Sequence, residues 1–169
     1  ILGELGLELK PAKTRIVHLR VGGGELQFLG FSHRMRSGRS RSGERFVFML
    51  RTPSPQAVRR ARHRAREITA RRRLRLPVEQ AVQELNWFLR GWGGYFRYGN
   101  SNRDFHRVTL HAQERLAMFI AKRHKRGRSY ARWLLAKGVP ARVGLIDLHG
   151  TVIAPRPNRP WRGTPNASR

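Results

Sequence analysis

Residues Leu85–Asn102 read LNWFLRGWGGYFRYGNSN, and the rest of the chain is organised around them. Val78, Val82, Leu85, Leu89, Trp92 and Phe96 recur at alternating steps of four and three, the apolar stripe of a buried helix. Trp87, Gly91, Tyr95 and Tyr98 form a second stripe beside the first. Gly91, Gly93 and Gly94 fall inside this helix, where each costs about 1 kcal/mol relative to alanine. Their presence predicts close approach of another backbone or of a ligand. Trp92 and Phe96 suit the core of a small bundle. Tyr95 and Tyr98, flanked by Arg90 and Arg97, suit either that core or a partly exposed surface meeting a partner.

Two more helices flank this one. Thr52-Pro53-Ser54-Pro55 marks a change of composition, with Ser54 and Pro55 as an N-cap and first-turn pair. The helix predicted from there to about Leu74 has a thin apolar stripe, Val58, Ala61, Ala65 and Ile68. Its other faces carry Arg59, Arg60, Arg62, Arg64, Arg66, Arg71, Arg72 and Arg73, opposed only by Glu67. A merely solvated helix would offset such charge with acidic residues four positions away, so this face points to a polyanion. A third helix is predicted from Arg103 to about Arg126, with Phe105, Val108, Ala112, Leu116 and Phe119 inward and Lys122-Arg123-His124-Lys125-Arg126 as its last turn. Gly127 ends it, and Ser129–Lys137 reads as a shorter fourth.

Before Thr52 the pattern is β. Gly6 suits a helix C-cap, followed by an extended Leu7-Glu8-Leu9 and a turn at Lys10-Pro11-Ala12-Lys13. Strands are predicted over Thr14–Arg20, Glu25–Met35 and Arg45–Arg51, with a polar loop over residues 36–44. From Pro155 the Pro, Asn, Arg, Gly and Ser composition predicts disorder. The fold class is therefore α+β: a small antiparallel β platform, a helical bundle and a disordered basic tail.

Charge decides the partner class. The 169 residues carry 36 Lys+Arg against 10 Asp+Glu, a net +26, and only Lys10, Lys13, Lys122, Lys125 and Lys137 are lysine. Arginine's planar fork suits phosphate and stacks on bases, so nucleic acid is the expected partner. No apolar run approaches the roughly 18 residues of a membrane span, and no basic stretch carries a clean apolar face, which argues against membrane. The absence of cysteine excludes thiolate zinc sites and disulfides and fits a cytoplasmic setting.

Little points to chemistry performed by this chain. Its two aspartates, Asp104 and Asp147, stand far apart, whereas two-metal phosphoryl transfer needs clustered carboxylates. Glu67, Glu79, Glu84 and Glu114 stand singly on predicted helices. His106 and His111, five apart, fall on different helix faces, against a zinc pair. Gly22-Gly23-Gly24 lacks the Gly-Lys-Ser/Thr of a phosphate-binding loop. No metal site or cofactor is expected. The isolated chain should show no primer extension with template, dNTPs and Mg²⁺; templated synthesis by pure protein would overturn that expectation.

The order Leu5-Gly6-Leu7-Glu8-Leu9, Pro11-x-Lys13-Thr14-Arg15, Phe28-Leu29-Gly30-Phe31 and Leu85-Asn86…Gly91-Trp92…Tyr95-Phe96…Gly99-Asn100 resembles group II intron-encoded reverse transcriptase/maturases over roughly residues 1–150. The resemblance implies that residues 1–52 are the end of the polymerase palm. Lys13 would match a palm lysine near the incoming nucleotide, and Phe28, Leu29, Gly30 and Phe31 the hairpin that grips the primer. Residues 53–150 would be the thumb, or maturase domain X, which binds intron RNA and assists splicing; residues 151–169 are the tail. In such proteins the fingers, the first catalytic aspartate and the YADD segment precede the position of Ile1, so Mg²⁺ is expected only with a complete palm. RNA is then the expected partner, with DNA as a further candidate. Its contacts are expected from Arg59, Arg62, Arg66, Arg71, Arg72, Arg90, Arg97, Lys122, Arg123, Lys125 and Arg126 to phosphates, with Tyr95 and Tyr98 stacking on bases or packing on the first helix. The alternatives are the thumb half of a split or truncated RNA-directed DNA polymerase, or an inactive remnant that binds nucleic acid non-specifically.

Overall fold

Ser54 joins the two halves of the molecule, which a computed structural model describes over residues 16–153. The readings at Gly6, Leu7–Leu9 and Lys10–Lys13, and the tail beyond Ile153, lie outside the described residues. The fold is α+β. A three-stranded antiparallel sheet, β1 (Leu26–Phe28), β2 (Phe31–Arg39) and β3 (Arg45–Pro53), precedes the helices α1 (Pro55–Ile68), α2 (Val78–Phe96), α3 (Asn102–Arg123), α4 (Arg128–Ala136) and α5 (Val139–Arg142).

The sheet differs from expectation in three places. Glu25–Met35 is not one strand: Leu29 (φ 48°) and Gly30 (φ 75°) are both left-handed, and Phe28 pairs with Phe31 across them. Two consecutive left-handed residues make the tight hairpin turn whose twist suits antiparallel strands, and glycine makes the second of them strain-free. Residues 16–20 form no strand; only Val21 bridges Met35, because β1 occupies the edge of β2 up to His33. The polar loop shrinks to Ser40–Glu44, since β2 runs on through Arg39 against Arg45. There the Ser40 Oγ accepts from the Glu44 amide at 3.1 Å and Gly43 turns left-handed.

Ser54 does what its sequence context predicts. Its Oγ accepts from the Ala57 amide at 3.2 Å, capping α1 with Pro55 in the first turn. Its own amide donates to the Gly30 carbonyl at 2.8 Å, tying the hairpin turn to the helix start. Helix α1 ends at Ile68, earlier than the expected Leu74. The Thr69 hydroxyl turns back to the Ala65 carbonyl at 2.7 Å, and the Arg115 guanidinium donates to Thr69 Oγ1 at 3.2 Å and to its carbonyl at 3.3 Å, a cation on a helix C-terminus. A 3₁₀ turn over Arg71–Arg73 follows.

Apart from Pro53 at the end of β3, every buried apolar side chain among the described residues lies between Ala57 and Leu148. Ala61 and Ala65 let α1 approach α3 closely, while Leu85, Leu89, Phe105, Leu116 and Phe119 fill the centre with no exposure above 1%. Phe31 alone reaches this core from the sheet, its ring 4.8 Å from that of Phe96. Helix α3 ends at Arg123, short of Arg126, because Lys125 is left-handed (φ 53°) and the Arg126 amide reaches back to the Ala121 carbonyl at 2.8 Å. That six-to-one bond is the Schellman ending, with lysine where glycine is usual. Thr151–Ile153 stay against the helices, the Ile153 amide donating to the Arg97 carbonyl at 2.6 Å.

Candidate nucleic-acid interface

The predicted contact residues fall on two surfaces. The first runs along α1 and the end of α3. Arg59, Arg62 and Arg66 are exposed on α1, opposite the buried Ala57, Ala61, Ala65 and Ile68, and Arg71 and Arg72 are exposed in the 3₁₀ turn. Arg123 donates to the Leu74 carbonyl at 2.6 Å and also to that of Leu76, which brings the basic end of α3 beside that turn. Lys122, Lys125 and Arg126 stand exposed around this junction. Arg123 is thereby a structural link, as is Arg73, whose guanidinium makes a two-pronged contact with Glu84 at 2.5 and 2.9 Å. That fork holds the Glu84 carboxyl below the usual carboxylate range.

Beneath this surface lies His111, 7% exposed, its Nε2 buried without a hydrogen-bond partner. Burial pushes its pKa down to about 4, with Arg62, Arg66 and Arg115 adding to the effect and the Arg62 carbonyl opposing it. Its Nδ1 lies 3.9 Å from the Glu114 carboxylate. Nothing in the sequence around His111 distinguishes it from the exposed His106; only the packing of α1 on α3 does.

The second surface surrounds the end of α2. The second stripe proves to be its exposed face: Trp87 is 61% exposed, and Tyr95 and Tyr98 about half. Tyr95 nevertheless has a structural tie, its hydroxyl donating to the Leu29 carbonyl at 2.8 Å while its ring lies 5.6 Å from that of Phe31. Tyr98 sits beneath the Arg97 guanidinium at 5.8 Å. Arg97 is half-buried, with Nε inaccessible and unpaired, and Arg90 is exposed. The close approach predicted for the glycines occurs only at Gly93, where an added Cβ would lie 2.8 Å from Leu148 Cδ2. Gly91 and Gly94 face open space, so no neighbour within the described residues accounts for them.

The hairpin Phe28-Leu29-Gly30-Phe31 has two characters. Phe28 and Leu29 are 60% and 66% exposed, whereas Phe31 packs between Tyr95 and Phe96 under Arg51. Phe31→Ala should cost about 2 kcal/mol of stability, as expected for a large side chain partly withdrawn from water, and Phe28→Ala less than about 0.5. Thermal melts of the two variants check this. Lys13 lies outside the described residues.

Sequence reasoning missed a cleft of about 510 Å³ where the sheet meets α1 and α3. Arg34 and Arg36 of β2 and Arg103 and Arg107 of α3 line it, with Asp104 and Asn100 among them. Leu50, Pro53, Pro55 and Val58 supply an apolar wall. Arg34 is paired to Glu25 at 3.0 Å, and Arg107 stands 3.5 Å from Asp104. Burial raises the Asp104 carboxyl above its ordinary value even though Arg107 and Arg103 pull the other way. No group of three or more His, Asp or Glu among the described residues is placed to hold a metal ion, and no helix there is long and apolar enough to cross a membrane.

Residues 58–138, from the first turn of α1 to the glycine that ends α4, match the family model of the group II intron maturase-specific domain. This stretch is a group II intron maturase-specific domain. The resemblance read from the sequence motifs is borne out over these residues. A search of curated proteins finds no match to the chain. The maturase-specific domain carries all of the first surface, Arg90, Tyr95, Arg97 and Tyr98 of the second, and Arg103 and Arg107 of the cleft; the hairpin and the β2 arginines precede it.

Proposed function

We propose that the chain binds group II intron RNA through its maturase-specific domain, assisting splicing and mobility in the cytoplasm, without a polymerase site of its own. One observation carries this reading. Helix α1, which opens the matched domain, exposes Arg59, Arg60, Arg62, Arg64 and Arg66 with only Glu67 to offset them, and Arg71 and Arg72 extend the same positive surface. Glu67 is engaged locally, 3.1 Å from Arg64 and 3.7 Å from His63, so the remaining arginines are available to phosphates. Tyr98, exposed beside Arg97, supplies a stacking surface for an unpaired base.

A second reading, the thumb half of a split or truncated RNA-directed DNA polymerase, draws on the hairpin, because Phe28 and Leu29 stand exposed at a turn anchored by Tyr95. It adds a role for the hairpin as a primer grip and a DNA strand as partner, and leaves the RNA surface as described.

Binding curves on intron RNA and on a scrambled RNA of the same length, at two salt concentrations, test the proposal. A maturase keeps a preference for the intron at high salt, where shape and base contacts persist after the counterion contribution has shrunk. Equal affinities at both concentrations would reduce the protein to a general polyanion binder.

A further inference from the structure

The cleft between sheet and helices combines features that a phosphate clamp alone does not need. Its rim is cationic, with four arginines against one carboxylate among the lining residues. Its wall is apolar, formed by Pro53, Pro55 and Val58, and its volume of about 510 Å³ lies within the range of pockets that enclose whole small ligands. Asp104 lines it as well, an acid that opposes phosphate binding by charge. It stands in the first turn of α3 with its Oδ1 3.5 Å from Arg107, and a base edge that donates hydrogen bonds would give the carboxylate a second partner.

We propose that this cleft seats one unstacked guanosine nucleotide of a bound RNA, with its phosphate on Arg36, Arg103 and Arg107, its base against the Pro53–Val58 wall and its Watson–Crick edge on Asp104. The assignment rests on the RNA-binding reading and gives that reading a base-specific component. The choice of guanine follows from donor geometry. A carboxylate offers two acceptors side by side, and guanine alone presents two adjacent donors, N1–H and the N2 amino group. Adenine and cytosine place an acceptor nitrogen beside their amino group, and uracil flanks its one N–H with two carbonyls; each of these sets a lone pair against a carboxylate oxygen. Asn100 is fixed by its neighbours, its Oδ1 accepting from the Arg51 amide at 3.1 Å, so the cleft is shaped in advance on that side. Arg34 is held and neutralised by Glu25, which leaves Arg36, Arg103 and Arg107 as the cations for the phosphate.

The test uses the full chain and two labelled single-stranded octaribonucleotides, one all uridine and one with a single central guanosine, read by fluorescence anisotropy. The unaltered protein is expected to bind the guanosine-containing strand about tenfold more tightly, the discrimination of one good two-point base contact. Asp104→Asn should abolish that preference. Because it also removes a negative charge, it should leave all-uridine affinity unchanged or improve it, a result that loss of folding cannot imitate. Arg103→Gln with Arg107→Gln, both at exposed positions, should weaken both strands. The proposal is overturned if the unaltered protein shows no guanosine preference, or if the preference survives Asp104→Asn. It is equally overturned if the arginine variant weakens both strands while Asp104→Asn changes neither, which would make the cleft a phosphate clamp. Intron RNA bound without guanosine preference rejects this pocket alone; no binding to any RNA rejects the RNA-binding reading with it.

Discussion

Replacing Arg59, Arg62 and Arg66 together with glutamine is expected to weaken RNA binding by roughly 30-fold at 200 mM salt and roughly 500-fold at 50 mM, if each touches one phosphate of a single strand. The figures follow from counterion release, in which each contact contributes about 0.7 to the slope of log affinity against log salt. Three lost contacts flatten that slope by about two. The fold should survive, because all three side chains are exposed and none belongs to the Ala57-Ala61-Ala65-Ile68 face. Removing Arg66 also relieves repulsion on the half-buried Arg115, so the variant should melt no lower than the parent. Salt titrations of both proteins on one RNA, with melting curves alongside, check the slope and the fold together. An unchanged slope would move the phosphate contacts off α1.

Acid should unfold the protein through His111. The folded chain takes up this proton only near pH 4, whereas the unfolded chain takes it up near the ordinary 6.5. Between those values the unfolded state binds more protons, so stability falls as the pH drops through that window and is fully present above it. A difference of that size corresponds to about 3 kcal/mol, a large part of the stability of a domain this small. His111→Leu fills the same space without a titrating ring and should remove most of that acid dependence. Denaturant melts at pH 7 and pH 4.5 on both proteins measure it; a parent equally stable at both would show that water reaches the ring. Arg62 and Arg66 of α1 and Arg115 and Glu114 of α3 are the charges around His111. The arginine variant should accordingly show a raised His111 pKa.

The helices were legible because their signals are local. The 4-3 spacing from Val78 to Phe96, the Ser54-Pro55 start and the apolar stripe of α3 each lie within a few turns of chain, and each element formed where its pattern lay. The hairpin turn was hidden because Leu29 is a poor candidate for a left-handed residue. It is held there by a Tyr95 hydroxyl that comes from 66 residues away. The early end of α1 depends on Thr69 and on Arg115 across the bundle, again a distant partner. The cleft was invisible for the same reason. Arg34 and Arg36 sit on a strand and Arg103 and Arg107 on a helix, and no spacing rule joins them before the sheet is hung on Ser54. The helical glycines misled differently: their cost is real, but only Gly93 is matched by a close neighbour.

The β2–β3 ribbon is fastened at one end only among the described residues, through Gly30 to Ser54, Arg51 to Asn100 and Phe31 to Phe96. Apart from Phe31 at its anchored end, the apolar side chains that close the core lie beyond it in the chain. Reach is therefore an independent variable in this architecture. Each residue pair inserted symmetrically before and after Ser40–Glu44 would carry the tip about 3.4 Å further from the helices, with no repacking inside them. The length of this arm sets how far Arg39, Arg41 and Arg45 stand from the helices, and it can change without repacking them.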